Sequence, residues 1–527
     1  MKVLISDKVA SEAVEKLAAT EGIEVENAPG LEPDRLKARL AEADGIIVRS
    51  GTKLTAGVLE AAARLKIIVR AGVGVDNLDI PAASRRGVIV CNTPGGNTLS
   101  TAEHTCALLL ALSRNVYPAC RSLKEGQWDR KKFMGTQLAG KTIGVVGLGR
   151  IGLEVARRAA AFQMTVLGYD PYVTAERAKQ HRVTLVDDLH ALYAQADYVT
   201  VHVPVTDETR GMLGAEQLAA MKDGVKIINC ARGEIIDEAA LAEALRSGKV
   251  AGAALDVYPA EPPTNRELID MDQVLCTPHL GASTEEAQLN VALEAADIMA
   301  DALLHNRIRN ALNVPAIAPA EAEALQPYAD LARCLGLFQT QTLRRVPSRV
   351  RVTYGGDAAA LNTRIVTAHL LAGLLAPVLE EDTNYINAPY LAEERGIHIT
   401  EATTDHVADF TTLVSMALTV DGEEHEVAGT LVGKGEPRIV LIDGYRVEAM
   451  TRGTMVILFA EDKPGLIGSV GGLLGERGIN IAAMTFGRKE AGGAAITVLN
   501  LDGPVDDAAR DAVRQIPHVH QVHVVRF

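Results

Sequence analysis

Paired cysteines are missing from this chain of 527 residues: Cys91, Cys106, Cys120, Cys230, Cys276 and Cys334 are scattered, with no Cys-x-x-Cys among them. That spacing argues against a disulfide framework and a zinc site alike, so no metal is expected, and reduced thiols in a cytoplasmic protein are the expected state. Positive charge is also in deficit. A formal net charge of −14 argues against nucleic acid or anionic membrane as a general partner, because phosphate backbones are held by basic surfaces. A small anionic substrate needs only a local basic pocket. Long apolar runs are absent too: none approaches the ~18 residues of a membrane helix, and the strand-like start Lys2-Val-Leu-Ile-Ser6 does not resemble an export signal. The chain reads as soluble and unexported. Its length suggests several domains, each able to bury a core, since nearly half the residues are apolar.

What is present centres on Thr142-Ile-Gly-Val-Val-Gly147-Leu-Gly149-Arg-Ile-Gly152. A short apolar run, read as a buried parallel strand, feeds into Gly-x-Gly-x-x-Gly and then into the helical periodicity of Leu153 to Phe162. Backbone amides and the helix dipole at such a turn can hold a pyrophosphate. Gly147 allows the tight turn, Gly149 the approach of phosphate, and Gly152 the packing of helix on strand. A second strand, Thr165 to Tyr169, ends at Asp170, close to the spacing at which an acid takes the adenosine ribose. A carboxylate there repels a 2′-phosphate, which favours NAD over NADP.

From Met1 to about Thr93, short apolar strands (Val3 to Ser6, Gly45 to Val48, Ile67 to Val69, Val88 to Val90) alternate with helices such as Leu54 to Leu65. This implies a parallel sheet covered on both faces. Ligands collect beyond the carboxyl ends of such strands. Two of those ends carry arginine, in Arg49-Ser50-Gly51 and in Arg70-Ala71-Gly72-Val73-Gly74, where flanking glycines are expected to expose amides for an anion. After a Pro94-Gly-Gly-Asn97 turn, Ser100 and Glu103 have the spacing of a capping box at a helix start. His104 in that helix reads as structural. The cluster Arg130-Lys131-Lys132 beside Trp128 is either a solvated loop or a reach toward an anionic substrate across a subunit boundary.

Later strand ends carry the chemistry. Tyr198 to Val203 should face the nicotinamide half of the cofactor. Arg232 follows the strand Lys226 to Cys230, Glu261 lies in the stretch Ala251 to Pro263, and His279 follows Pro278 in the stretch Val274 to Ser283. Arginine binds a carboxylate through two parallel hydrogen bonds. Histidine can take a hydroxyl proton as hydride departs, and a glutamate beside it stabilises the imidazolium.

These stretches, together with Asn229-Cys-Ala-Arg-Gly233 and Thr277-Pro-His-Leu-Gly-Ala-Ser-Thr284, resemble the signatures of the D-isomer-specific 2-hydroxyacid dehydrogenases over roughly residues 1 to 313. The resemblance implies a catalytic set of Arg232, Glu261 and His279, with His279 the acid/base. It implies NAD contacts from Arg150, Ile151, Asp170, Val203, Cys230, Ala231, Asp256, Gly281 and Ala282 beside the three glycines. Substrate would meet Arg49, Ser50, Arg70, Gly72, Val73 and Asn97, with Lys132 supplied by a partner subunit. The expected reaction is oxidation of 3-phospho-D-glycerate at C2. Two alternatives stay open: another D-2-hydroxy acid (2-hydroxyglutarate, glyoxylate or lactate), or a non-catalytic NAD-sensing scaffold.

Beyond Asn313, Val-Pro-Ala-Ile-Ala-Pro-Ala-Glu-Ala-Glu reads as a linker. Residues 317–450 mix helices, including Arg364 to Glu380, with strands such as Arg349 to Tyr354 and Arg438 to Ile442. No catalytic constellation is evident there, and His369 and His398 read as packing or surface residues. By resemblance this is an intervening regulatory or assembly domain. The last segment reads β-α-β-β-α-β, a ferredoxin-like order, and Asp462-Lys-Pro464-Gly-Leu-Ile467 before Gly478-Ile-Asn480 resembles the ACT module, which binds amino acids between paired copies. Asp462 and Asn480 would hold a ligand there, with serine the expected effector. The expected architecture is α/β, a Rossmann-like cofactor domain (97–284) inserted in a flavodoxin-like substrate domain (1–96 and 285–313), then the α+β domain (317–450) and the ACT domain (453–527). A homodimer or homotetramer is expected.

Overall fold

The computed structural model describes residues 1–314, 319–343, 345, 347–379, 383–405, 407 and 409–527. Its first sheet is all parallel, with strands β1 (Lys2–Ile5), β2 (Glu24–Asn27), β3 (Gly45–Val48), β4 (Ile67–Arg70) and β5 (Ile89–Asn92) in the order β2-β1-β3-β4-β5. Every residue of Gly45–Val48 is buried, as befits a central strand covered on both faces. One face of the sheet is closed by the helix Glu285–His305, whose Val291, Ala292, Ala295, Ile298 and Met299 pack with Val3, Ile5, Ile47, Ile67 and Val69. The sequence pattern missed β2, whose residues are only partly buried or exposed. The helix expected over Leu54 to Leu65 shrinks to Ala56–Leu59.

The second sheet is parallel as well, with β6 (Thr142–Val146), β7 (Thr165–Tyr169), β8 (Thr184–Leu185), β9 (Tyr198–Val201), β10 (Val225–Asn229), β11 (Val250–Leu255) and β12 (Val274–Cys276) in the order β12-β11-β10-β9-β6-β7-β8. The chain leaves β6 toward β7 on one side and later returns to β9 on the other. The crevice at this reversal is where a doubly wound sheet takes its ligand. Arg232, Glu261 and His279 follow β10, β11 and β12, three adjacent strands on one side of that crevice.

Of the expected linker, Pro315 to Ala318 lie outside the described residues, while Pro319 begins a helix that runs to Leu343. The short run of alanines and glutamates after Pro319 is a helix start rather than a spacer, and proline fits a first helical turn. The expected helix ending at Glu380 spans Thr363–Leu375, and Glu380 itself is outside the described residues. The third sheet holds β13 (Arg349–Gly356), β14 (His398–Thr404), β15 (Thr412–Val420), β16 (Glu423–Val432), β17 (Glu436–Ile442) and β18 (Tyr445–Met450), ordered β14-β13-β15-β16-β17-β18. The fourth, β20-β21-β19-β22, is antiparallel and ferredoxin-like: β19 (Thr454–Glu461), β20 (Ile481–Arg488), β21 (Ala494–Leu501) and β22 (Val519–Arg526), with helices Leu466–Glu476 and Asp507–Arg514.

Alternation along β19 divides its side chains between two cores. Val456 and Leu458 face the module's own helices, with Val470, Leu474 and Val513. Met455 and Ile457, joined by Ile496, Val498 and Val525, belong to the core of the preceding sheet with Leu335, Val352 and Met416.

Candidate active site

The glycine turn is built as its chemistry requires. Gly147 has φ +91°, open to glycine at little cost, and a Cβ there would lie 2.6 Å from the carbonyl of His202 and 2.8 Å from Cγ1 of Val203. Gly152 packs so closely on the turn that a Cβ would overlap the Gly147 carbonyl. Gly149 is different: nothing lies within 4 Å of where its Cβ would be. It is the N-cap of the helix Arg150–Ala161, whose first turn carries no acidic residue, so the positive end of the dipole faces open space. Asp170 fixes the turn to the end of β7, accepting from the amides of Leu148 and Tyr172, each at 2.8 Å. Each carboxylate oxygen keeps capacity to accept from a ribose hydroxyl. This set fits a dinucleotide. Arg150 begins the helix and approaches the Pro94-Gly-Gly-Asn97 turn: its Nη1 would be 3.4 Å from a Cβ on Gly95.

At the end of β10, Asn229 folds the backbone on itself. Its Oδ1 accepts from the Ala231 amide at 2.9 Å and its Nδ2 donates to the Arg232 carbonyl at 2.8 Å. The Cys230 thiol beneath is buried, which pushes its pKa up to about 12 and keeps it protonated. Arg232 is thereby thrown across the crevice, where its Nε donates to Asp76 at 3.1 Å and its Nη1 to the Ala231 carbonyl at 2.7 Å. Glycine opposite gives the guanidinium groups their present place: a Cβ on Gly74 would overlap Arg232 Nη2, and one on Gly72 would overlap Arg70 Nη1.

Arg49 and Arg232 each lie within electrostatic reach of Arg70. Burial first, then the charge of Arg232, pulls the Arg70 guanidinium down to about 10. Its Nε is buried without a partner among the described residues, as is Oδ1 of Asn97, the N-cap of the helix Thr98–Ser113. Two orphaned polar atoms in a cleft of arginines mark a place for an anionic, hydroxylated ligand.

Some of the amides beside the arginines are taken within the fold. Those of Arg49 and Thr52 donate to Asp7 Oδ2 at 2.6 and 3.1 Å, and that of Gly72 donates to Thr93 Oγ1 at 2.7 Å. The amides of Gly51, Val73 and Gly74 make no such bond among the described residues, so they remain available beside the guanidinium groups. Ser50 is exposed at its edge, and the Val73 carbonyl is tied back to Asn92 Nδ2 at 2.7 Å.

His279 stands at φ +54°, a strained conformation for a non-glycine residue. Its loop is pinned by Asp256, which is fully buried and accepts from the Leu280 amide at 2.7 Å, the Gly281 amide at 2.9 Å and the Thr277 hydroxyl at 2.6 Å, with His104 Nε2 at 3.1 Å. Burial raises its carboxyl pKa, but the bonds from His104, Thr277 and Leu280 outweigh that and hold it below the usual carboxylate range. Oδ1 takes three of these partners and Oδ2 only the Gly281 amide, so the carboxylate that positions the histidine loop keeps acceptor capacity on Oδ2 for the cofactor contact expected of Asp256. His104 has the structural place expected of it. Nδ1 of His279 lies 2.7 Å from Glu261 Oε2, while Glu261 Oε1 accepts from the Tyr258 amide at 3.2 Å. The tether at Nδ1 leaves Nε2 as the working nitrogen. The Ala282 carbonyl accepts from Gln288 at 2.8 Å, closing the loop onto the next helix.

The capping-box expectation is corrected. Asn97, not Ser100, caps the helix Thr98–Ser113, and the Ser100 hydroxyl pairs with Thr284 Oγ1 at 2.8 Å. Lys132 lies over the Phe133 ring and lines a separate hollow with Arg121 and Asp272, away from the arginine cleft of its own chain. In the last module Asp462 is paired with Arg488 at 2.6 Å and the Gly492 amide at 3.0 Å, and Asn480 with Asp502 at 2.6 Å. Pro464 lies in the turn after Asp462, and Ile467 helps to line an apolar hollow of about 190 Å³. Asp7, Asp76, Asn92, Thr93 and His202 had no role in the sequence reading. Only Asp76 carried a signal, an acid a few residues beyond an arginine at the end of a strand.

Two parallel sheets facing one cleft, with a phosphate-binding turn and an arginine, glutamate and histidine on three adjacent strands, define an NAD-dependent oxidoreductase. The model of the D-isomer specific 2-hydroxyacid dehydrogenase NAD binding domain matches residues 106–281, that of the D-3-phosphoglycerate dehydrogenase intervening domain residues 324–443, and that of the ACT domain residues 454–518. The chain is 47% identical over 507 residues to D-3-phosphoglycerate dehydrogenase of Archaeoglobus fulgidus, covering 96% of each. It is 42% identical to that of Methanocaldococcus jannaschii over 527 residues, covering 100% of each. The solved structure of TT0316 protein from Thermus thermophilus matches with a TM-score of 0.54 and 36% identity, over 59% of this chain and 100% of that one. The chain belongs to the D-3-phosphoglycerate dehydrogenase family of D-isomer-specific 2-hydroxyacid dehydrogenases.

Proposed function

We propose that the chain oxidises 3-phospho-D-glycerate at C2 to 3-phosphohydroxypyruvate, the first step of a phosphorylated route to L-serine, with Arg232, Glu261 and His279 as its catalytic set. The observation that carries the reading is the pairing of His279 with Glu261 beside a cleft of three arginines. Arg232 binds the substrate carboxylate, and Arg49 and Arg70 take the phosphate, with Ser50, Gly72, Val73 and Asn97 around the substrate. His279 Nε2 accepts the C2 hydroxyl proton, and the resulting imidazolium is stabilised by Glu261 at Nδ1. NAD, held by Gly147, Gly149, Arg150, Ile151, Gly152, Asp170, Val203, Cys230, Ala231, Asp256, Gly281 and Ala282, supplies the hydride acceptor.

The chain works in the cytoplasm as a homo-oligomer. Exposed Val116, Tyr117, Leu123, Trp128 and Met134 lie in one stretch with Lys132, which supports a pairing surface from which Lys132 reaches the partner's substrate. The ACT module takes serine as effector once Asp462 and Asn480 exchange their present partners. NADH formation from a panel of D-2-hydroxy acids tests the reading: 3-phosphoglycerate should be preferred, and Arg49→Ala should weaken it far more than an unphosphorylated acid. Equal loss for both would overturn the phosphate assignment.

A further inference from the structure

Asp76 and Arg232 come from opposite walls of the cleft. The first lies on the loop after β4 of one sheet, the second after β10 of the other, and they are joined by the 3.1 Å bond from Arg232 Nε. A guanidinium has three edges from which it can donate. Here the Nε edge goes to Asp76 and one Nη1 hydrogen to the Ala231 carbonyl, while the bare Gly74 lets Nη2 lie flat against the loop. The Nη1/Nη2 edge is left to meet a carboxylate with two parallel bonds. Asp76 also supplies negative charge beside the crowded pair Arg70 and Arg232, which repel each other.

We propose that Asp76 is the positioning residue for Arg232: it spans the cleft, turns the free fork of the guanidinium toward the substrate carboxylate, and offsets the repulsion that would push Arg232 away from Arg70. This deepens the reading of Arg232 as the carboxylate binder and rests on it. Asp76 itself touches no reacting atom, and its side chain is largely exposed, so its removal leaves the fold intact.

The test is Asp76→Ala and Asp76→Asn in the full-length protein. Asp76→Ala should raise KM for 3-phosphoglycerate about 3- to 5-fold, the scale of a largely exposed ion pair, with a smaller fall in kcat. Asp76→Asn, which keeps an acceptor and loses the charge, should fall between. Two readouts separate positioning from general damage. NADH affinity should stay within about twofold, and so should inhibition by glycerol 3-phosphate, which has the phosphate and lacks the carboxylate. Unchanged KM in Asp76→Ala overturns the proposal, as does an equal loss of glycerol phosphate and NADH binding. No NADH from phosphoglycerate in the unsubstituted enzyme overturns the underlying reading and the proposal with it.

Discussion

His202 sits under the glycine turn, its Nε2 3.0 Å from Thr200 Oγ1. Burial pulls its pKa from 6.5 down to about 4, so it is neutral in the folded enzyme at physiological pH. The unfolded chain binds a proton near pH 6.5 that the folded chain refuses until about pH 4. The stability this neutrality protects is therefore whole above pH 6.5 and is lost as pH falls toward 4, by roughly 3 kcal/mol at most. His202→Gln should remove that slope: the difference in Tm between wild type and variant should move in the variant's favour across this window. A constant difference would mean that His202 titrates as it does in water. Cys230 and Asp256 follow the same logic at neighbouring strand ends, since burial alone favours the neutral form and only bonded partners reverse it. Sequence could flag Asp256 as an acid at a strand end, but not the partners, brought from separate stretches, that also make it the anchor of the histidine loop.

At the level of the strand-turn-helix element, the outer two glycines are fixed by crowding and the middle one by vacancy. Gly152→Ala drives a methyl into the Gly147 carbonyl and should cost about 1–3 kcal/mol or more, read as a lower Tm even without coenzyme. Gly149→Ala meets nothing in the folded chain, so its Tm should stay near wild type while NADH affinity drops. Equal Tm losses would contradict this division. These three roles were legible from spacing alone, because a turn between a buried strand and a helix leaves few geometries. The arginine loops were less so: glycine beside Arg49 and Arg70 predicted exposed amides, and Asp7 and Thr93, distant in sequence, occupy those of Arg49, Thr52 and Gly72. Which amides stay open is set by contacts between strands that no local pattern records.

Across the whole molecule, the two parallel sheets were readable from alternating strands and helices, and the ferredoxin-like order from evenly spaced turns. The joining of the last two modules was not, because it depends on which face of β19 finds a neighbour. Met455 and Ile457 complete the core of the preceding sheet, and Asn384 from that region donates to the Gly87 carbonyl at 3.1 Å on the first sheet's side. Ile457→Asp should therefore speed hydrogen exchange in β13 and β15 as well as β19 while leaving β6 and β10 protected; loosening confined to β19–β22 would show that the cores are separable. The molecule as a whole is organised to bring a hydroxylated carbon and a nicotinamide together between its first two sheets. The measurement that tests this most directly uses 3-phospho-D-glycerate carrying deuterium at C2, with NAD and the purified enzyme, and mass analysis of the coenzyme recovered. The account predicts one deuterium in the reduced nicotinamide and slower turnover in the hydride-transfer step; unlabelled NADH, with the deuterium lost to water, would contradict it.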